Sequence, residues 1–142
     1  NIYESGPKFS PYNKEILYQV SRYEIEEIEG YPYLGSFKKG KATNIWKMNA
    51  DGTNQIQLTT KDTQDFYVTW SPDGKRIAFC SGYPEEGVSI WIMAADGSRK
   101  TQVIENGGSY PNWSPDSKKL VFTVREPTFG WPDIWMAILE PD

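Results

Sequence analysis

One segment of the sequence recurs along the chain and constrains the fold more than any other feature. It reads Trp-Ser-Pro-Asp-Gly-Lys at 70–75, Trp-Ser-Pro-Asp-Ser-Lys at 113–118 and, in degraded form, Phe-Ser-Pro-Tyr-Asn-Lys at 9–14. Proline pre-sets the φ of a tight turn, aspartate can bond the backbone ahead of it, and glycine accepts the left-handed conformation that closes the turn. Because an apolar run follows each copy, the segment predicts a repeated hairpin.

The spacing of the tryptophans gives the period of the repeat. Trp70 and Trp113 are 43 residues apart, Trp46 and Trp91 are 45 apart, and Trp91 and Trp135 are 44 apart. Four short strands in roughly 40 to 45 residues are typical of a β-propeller blade. Unrelated hairpins in a β-sandwich would not keep so many positions in register. The sequence therefore predicts an all-β chain of three four-stranded propeller blades.

The repeats also give the domain organisation. Blade 1 is predicted at about 7–60 with an inserted loop at 21–42, blade 2 at about 65–104 and blade 3 at about 109–142. The third repeat has no recognisable fourth strand. We expect an N-terminal strand at 1–5 to complete that blade, within the same chain or across to a second copy.

Composition limits the classes of partner and of chemistry. A net charge of -4, with scattered lysines and arginines, argues against nucleic acid, since phosphate binding needs a clustered basic face. No apolar run is long enough for a transmembrane helix. Cys80 is the single cysteine and lies in an apolar strand, where a buried structural thiol is expected.

Residues 66–104 carry the most complete copy of the repeat, including Ile-Trp-x-Met-x-Ala-Asp-Gly-Ser at 90–98. This pattern resembles the repeat of TolB-type propellers, also called the WD-like or Pro-Asp repeat. The first copy departs from it, because Tyr12 and Asn13 replace Asp-Gly. The resemblance implies a six-bladed ring, an envelope-associated interaction protein, and a periplasmic or extracytoplasmic location. The same repeat also occurs in propellers attached to peptidases.

The strand after the second turn is apolar at successive positions, with Ile77 and Phe79 on one side and Ala78 and Cys80 on the other. A sheet needs this pattern when neighbours pack on both of its faces. Propellers close with about four to eight blades, so three blades cannot form a ring. We therefore expect a homodimer in which two copies close one six-bladed ring.

A binding site is expected on the face that carries the variable loops, because loops held by a rigid scaffold are where binding usually sits. The candidate ligand-binding residues on this face are aromatic or acidic: Tyr31, Tyr33, Phe37, Tyr83, Glu85, Glu86, Phe129 and Trp131. Such a rim suits a peptide, a cationic segment or a sugar ring. In the alternative interpretation, the aromatic residues pack their own loops and the glutamates are solvated.

Catalysis has little support in the sequence. The chain contains no histidine, which excludes a Ser-His-Asp relay and histidine-ligated metal sites. No catalytic residue, metal site or cofactor is predicted. We expect a non-enzymatic scaffold that binds a protein or peptide. The alternative is a substrate-gating or carbohydrate-binding propeller of an enzyme whose catalytic part lies elsewhere, and a purely structural repeat assembly is a third possibility.

Overall fold

The computed structural model describes residues 2–22, 42–83, 87–105, 107–124 and 132–139, and the backbone alone of 25–26 and 36–37. Within these ranges there is no helix that could cross a membrane. The same ranges contain thirteen strands, numbered along the chain: β1 (Ile2–Phe9), β2 (Glu15–Arg22), β3 (Ile25–Glu26), β4 (Ser36–Phe37), β5 (Ala42–Asn49), β6 (Ile56–Gln57), β7 (Asp65–Trp70), β8 (Arg76–Tyr83), β9 (Gly87–Ala94), β10 (Thr101–Ile104), β11 (Gly108–Trp113), β12 (Lys119–Val124) and β13 (Asp133–Ile138).

Three sheets follow one another along the chain as antiparallel meanders. They have the strand orders β1-β2-β5-β6, β7-β8-β9-β10 and β11-β12-β13, and β3-β4 form a separate hairpin. We call the three sheets blades 1, 2 and 3. Their registers match, because an aromatic residue of each second strand pairs with the tryptophan of the third: Tyr18 with Trp46, Phe79 with Trp91, and Phe122 with Trp135. The predicted all-β architecture of repeated blades is confirmed.

The N-terminal strand lies in the first blade, which corrects the expectation that residues 1–5 complete the third. In β1, Ile2 pairs with Arg22 and Phe9 pairs with Ile16 of β2. The physical reason is the turn itself, since Ser10 N–H donates to the Glu15 carbonyl at 2.8 Å and closes the β1–β2 hairpin. The strand before each Ser-Pro turn is thereby joined to the strand after it.

The recurring turn forms as its residues predict. In the second copy, Asp73 Oδ1 accepts hydrogen bonds from Ser71 Oγ at 2.6 Å and from the Lys75 N–H at 3.0 Å. The fourth turn residue has a positive φ in every copy, at 56° for Asn13, 70° for Gly74 and 60° for Ser117. Glycine and asparagine tolerate this left-handed conformation more readily than most residues. Local turn chemistry thus sets the start of each second strand.

The core lies between the blades rather than inside any one of them. Ile77, Phe79 and Met93 of blade 2 pack in one buried cluster with Leu17 and Ile45 of blade 1. The opposite face of blade 2 packs in a second cluster with blade 3, whose buried members are Ala78, Cys80, Ile90, Ile92, Trp113, Leu120 and Phe122. The prediction that this strand is apolar because both of its faces are covered is therefore confirmed. Burial raises the pKa of the Cys80 thiol to about 12, which keeps it protonated and inert.

Polar contacts also join neighbouring blades near the recurring turns. Arg76 of blade 2 lies over the Trp113 ring, 4.9 Å from its centroid, and donates from Nη2 to the Ser117 carbonyl at 2.5 Å. The Asp73 N–H donates to Ser117 Oγ at 3.1 Å. Between blades 1 and 2, Lys47 Nζ donates to the Ala95 carbonyl at 3.0 Å. The second Ser-Pro turn is therefore tied to blade 3 as well as to its own blade, and a strand of blade 1 is tied to the turn that follows β9.

In the described part of the chain, apolar residues at both ends of the stack are exposed to solvent. Phe9 is 60% exposed, whereas Trp113, at the same repeat position, is 7% exposed. On the outer face of blade 3, Ile134 is 83% exposed, whereas the equivalent Ile90 of blade 2 is fully buried. Val121, Met136 and Ile138 are also exposed apolar residues. We call these residues the terminal faces of the stack.

Candidate functional site on the inner strands

The first strand of each blade carries a β-bulge at the same repeat position. The pairing register shifts between Ser5 and Lys8 in β1, between Phe66 and Thr69 in β7, and between Ser109 and Asn112 in β11. These three strands lie side by side, as contacts of β7 with both β1 and β11 indicate. Bulges re-aim side chains and are over-represented next to functional sites.

One residue in each bulge has a left-handed backbone, with φ of 61° at Gly6, 52° at Tyr67 and 54° at Tyr110. Positive φ is uncommon for residues other than glycine and costs on the order of 1–3 kcal/mol. In blade 1 a side chain would also collide with Gln19, whose Nε2 atom would lie 2.3 Å from an added Cβ. Glycine therefore suits the first bulge, whereas blades 2 and 3 hold large side chains in the same conformation.

Tyr67 and Tyr110 are stacked against each other across the gap between blades 2 and 3. Their ring centroids are 4.0 Å apart with an interplanar angle of 28°, and Tyr67 Oη donates to Tyr110 Oη at 2.7 Å. Tyr67 is 40% exposed and Tyr110 is 59% exposed. Phe66 supports the pair edge-on, with its ring centroid 4.9 Å from that of Tyr67. Two neighbouring blades thus present one ordered aromatic surface to solvent.

A cleft of about 300 Å³ lies beside the pair. It is lined by the two tyrosines and by Lys8, Val68, Thr69, Pro111 and Asn112. Lys8, Thr69 and Asn112 occupy equivalent positions, one residue before Phe9, Trp70 and Trp113. The lining therefore combines aromatic surface with one amide, one hydroxyl and one cationic side chain.

The electrostatics of the cleft favour a neutral Tyr67 phenol beside the positive charge of Lys8. The hydrogen bond to Tyr110, together with partial burial, raises the pKa of Tyr67 to about 12. Among the described residues of the lining, Lys8 is the one that carries a charge. The cleft can therefore stack a planar or prolyl ring and pair with a negative group.

A buried carboxyl group lies at the start of β7. Burial raises the pKa of Asp65, and hydrogen bonds from Ser81, Thr59 and Thr63 together with the charge of Lys100 partly oppose that shift. Thr63 Oγ1 donates to Asp65 Oδ1 at 3.3 Å. Among the described residues, no group of three or more histidine, cysteine, aspartate or glutamate side chains could hold a metal ion. Asp65 is the one acidic residue that is buried among the residues the structure describes.

Most of the loop residues predicted from the sequence lie outside the described residues: Tyr31, Tyr33, Glu85, Glu86, Phe129 and Trp131. Phe37 is described by its backbone alone, in β4. Tyr83 ends β8 and is half-buried, and its Oη donates to the Asp62 carbonyl at 2.6 Å. The ring of this predicted site residue is thus held against its own chain.

The sequence reasoning missed the tyrosine pair, although a signal for it was present. Tyr67 and Tyr110 are 43 residues apart, the same interval that separates Trp70 from Trp113. An aromatic residue that keeps the period but lies outside the core pattern is a candidate for a surface role. The bulge that turns both rings outward from neighbouring strands could not be predicted in this way, because no residue type at these positions indicates a bulge.

Comparison with known proteins agrees with the fold. No family model matches the chain. The Tol-Pal system protein TolB of Hahella chejuensis is 33% identical over 71 residues, which cover 48% of this chain and 16% of that protein. The chain thus spans a small part of the length of this curated relative.

Solved structures cover almost the whole chain. TolB from Acinetobacter baumannii superposes with a TM-score of 0.68 and 18% identity, covering 96% of this chain and 30% of that one. The β-propeller domain of the Trilobed protease from Pyrococcus furiosus gives a TM-score of 0.65 and 19% identity, covering 96% and 39%. At these identities the likeness establishes the propeller fold alone. Together with the sequence match, it confirms the resemblance to TolB-type propellers.

Proposed function

We propose that the chain is a non-enzymatic TolB-type propeller scaffold that binds a protein or peptide segment, in a periplasmic or other extracytoplasmic compartment. The observation that carries this proposal is the exposed Tyr67–Tyr110 pair, which stands on strained backbone beside Lys8. Tyrosine is enriched at binding surfaces because it supplies a large contact area and a hydroxyl group. Strain of this kind concentrates where a ligand is bound.

The composition of the cleft supports an extended acidic peptide as the ligand. A prolyl or aromatic ring of the peptide stacks on the outer face of Tyr110, and a neighbouring carboxylate pairs with Lys8. Asn112 and Thr69 offer hydrogen bonds to the peptide backbone. The loop residues Tyr31, Tyr33, Phe37, Tyr83, Glu85, Glu86, Phe129 and Trp131 remain candidates for a second contact region on the variable face.

The test uses an array of extended peptides in two matched sets, one with glutamate and one with lysine beside a central proline or tyrosine. Binding of the glutamate set is expected to fall at least tenfold in Tyr110→Ala and in Lys8→Ala. Tyr12→Ala serves as the matched control, because Tyr12 is equally aromatic and exposed but lies in the first Ser-Pro turn. Equal binding of both peptide sets, or equal loss in the control, would contradict the proposal.

A second candidate is a substrate-gating propeller attached to an enzyme. The likeness to the propeller of a protease, nearly as close as that to TolB, supports it. The two candidates differ in what accompanies the chain: a catalytic domain in the same reading frame favours gating. Oligosaccharides added to the binding assay test the carbohydrate-binding form of this alternative.

Ring closure by a second copy remains part of the proposal. The terminal faces are equivalent to surfaces that pack on each other inside the chain, since Phe9 corresponds to Trp113 and Ile134 to Ile90. Phe9 of one copy would therefore cover Ile134 and Met136 of the other copy. Two such interfaces, related by a two-fold axis, would close the six-bladed ring. Light scattering should give twice the mass of 16.3 kDa, and Ile134→Glu should restore the monomer. A monomeric parent chain contradicts this part of the proposal and leaves the peptide site untouched.

A further inference from the structure

The stacked tyrosines are arranged for a covalent reaction with each other. Their hydroxyl oxygens are 2.7 Å apart while their ring centroids are 4.0 Å apart, so the two rings converge at their hydroxyl ends. The carbons ortho to the two hydroxyl groups consequently face one another. A bond between two such carbons is the bond of dityrosine.

We propose that Tyr67 and Tyr110 form an intramolecular dityrosine when a haem peroxidase and hydrogen peroxide oxidise the chain. The two residues belong to different blades, and each is held in a bulge with a positive φ. Phe66 further limits the movement of the Tyr67 ring. The reacting atoms are thus held together before oxidation, which is the arrangement that favours coupling over side reactions.

The reaction balances with peroxide as the oxidant. Each phenol gives up one electron and its hydroxyl proton to form a phenoxyl radical. The two radicals join through their ortho carbons, and the hydrogens on those carbons move to the oxygens to restore both phenols. Two hydrogen atoms leave the protein in total, and they reduce one hydrogen peroxide to two waters.

The hydrogen bond between the rings favours Tyr110 as the first to be oxidised. Tyr67 donates to Tyr110, so the oxygen of a Tyr110 radical keeps a donor against it while its own proton leaves to solvent. Tyr110 is also the more exposed of the two. The second oxidation then occurs on a ring that is already in contact with the first.

Other exposed tyrosines provide the contrast. Tyr3 and Tyr12 are both more exposed than Tyr67. Among the described residues, neither has a stacked aromatic partner. Oxidation at these two positions should yield links between molecules, which dilution suppresses, whereas the link between Tyr67 and Tyr110 is independent of concentration.

The experiment treats the dilute chain with peroxidase and hydrogen peroxide and then digests it with trypsin. The expected product joins fragments 62–75 and 101–118 with the loss of two hydrogen atoms, and it shows dityrosine fluorescence. Tyr67→Phe and Tyr110→Phe should each abolish this product, and the control Tyr12→Phe should retain it. The linked chain should also unfold at a higher urea concentration, because the link constrains the unfolded state.

Two results would overturn the proposal. One is a linked pair of fragments in Tyr67→Phe at the same yield as in the parent chain. The other is a parent chain that forms only intermolecular links at every dilution. Circular dichroism of each variant before oxidation verifies that a lost product does not come from a lost fold.

Discussion

Blades 2 and 3 carry the same repeat but differ in what covers them. Blade 2 has a neighbour on each face, so Ala78 and Cys80 are as fully buried as Ile77. Blade 3 has a neighbour on one face, so Leu120 is buried while Val121, the next residue, is exposed. The apolar pattern of the repeat therefore suits a blade that packs against a neighbour on both faces. Whether a given apolar residue is buried depends on whether a neighbouring blade packs on its face. The same substitution should have different costs in the two blades.

The largest difference is expected at the aromatic residue before each Ser-Pro turn. Trp113→Ala should lower the free energy of unfolding by about 3–5 kcal/mol, because it removes a buried indole and the surface under Arg76. In dilute monomer, Phe9→Ala should lower the free energy of unfolding by less than about 1 kcal/mol, since Phe9 is mostly exposed in the single chain. Urea unfolding monitored by circular dichroism gives both values. Similar losses in the two variants would mean that Phe9 is covered in solution.

The second contrast uses one residue type at one repeat position. Ile90→Ala should destabilise the chain by about 2–5 kcal/mol, because its side chain is fully buried between blades 2 and 3. Ile134→Ala should change stability by less than about 0.5 kcal/mol in dilute monomer. If two copies close a ring, the difference in stability between Ile134→Ala and the parent chain should instead grow as protein concentration rises, because association stabilises the parent chain more. Chemical unfolding at two protein concentrations distinguishes these cases.

Features of the fold that depend on neighbouring residues could be predicted from the sequence, whereas features that depend on contacts between distant residues could not. The turns and the two-sided strand Ile77–Cys80 follow from local residue types, so both could be predicted. The placement of β1 could not, because Ile2–Glu4 share no recurring residue with the later repeats and their partner is chosen by pairing register. The left-handed conformation of Tyr67 and Tyr110 was equally hidden, since tyrosine is not a residue that signals positive φ.

The buried acid allows a pH test of the interface between blades 1 and 2. Because burial raises the folded-state pKa of Asp65, the folded chain favours the protonated carboxyl. The Asp65 carboxyl therefore contributes favourably to the stability of the fold at pH values below its pKa in the unfolded chain, about 3.9. This contribution is lost as the pH rises through the higher pKa of the folded chain. Asp65→Asn should therefore stabilise the chain at pH 7 by on the order of 1 kcal/mol and bring no gain near pH 3.

The control for this prediction is Asp62→Asn, which changes an exposed carboxyl three residues away. It should leave the difference in stability between pH 7 and pH 3 unchanged. Urea midpoints measured across this range provide the comparison. A loss of stability in Asp65→Asn at pH 7 would show that the ionised carboxylate stabilises the fold.

The smallest effects are expected in the turns, where the two blades should agree. Ser114 Oγ donates to Asp116 Oδ1 at 2.5 Å, as Ser71 Oγ donates to Asp73 at 2.6 Å, so Asp73→Ala and Asp116→Ala should cause similar small losses. The hydrogen bonds from Ser114 and the Lys118 N–H lower the pKa of Asp116. Its contribution is therefore present above the unfolded pKa and lost as pH falls through the folded value. Thermal melts at pH 7 and pH 2 test the equal losses in the two variants and the loss of the Asp116 contribution at low pH. Unequal losses at pH 7 would show that the packing of neighbouring blades also affects the stability of the turns.

Placing the core between blades also has a consequence for how the chain is made. Each strand pairs with the next strand of its own sheet, so each sheet can assemble as soon as its last hairpin leaves the ribosome. The apolar side chains of that sheet remain exposed to solvent until the next sheet has formed and packs on them. Leu17 and Ile45 of blade 1, for example, are buried against Phe79 and Met93 of blade 2. During synthesis, therefore, the newest blade is always the vulnerable one, and a pause in translation is most hazardous just after a sheet has formed.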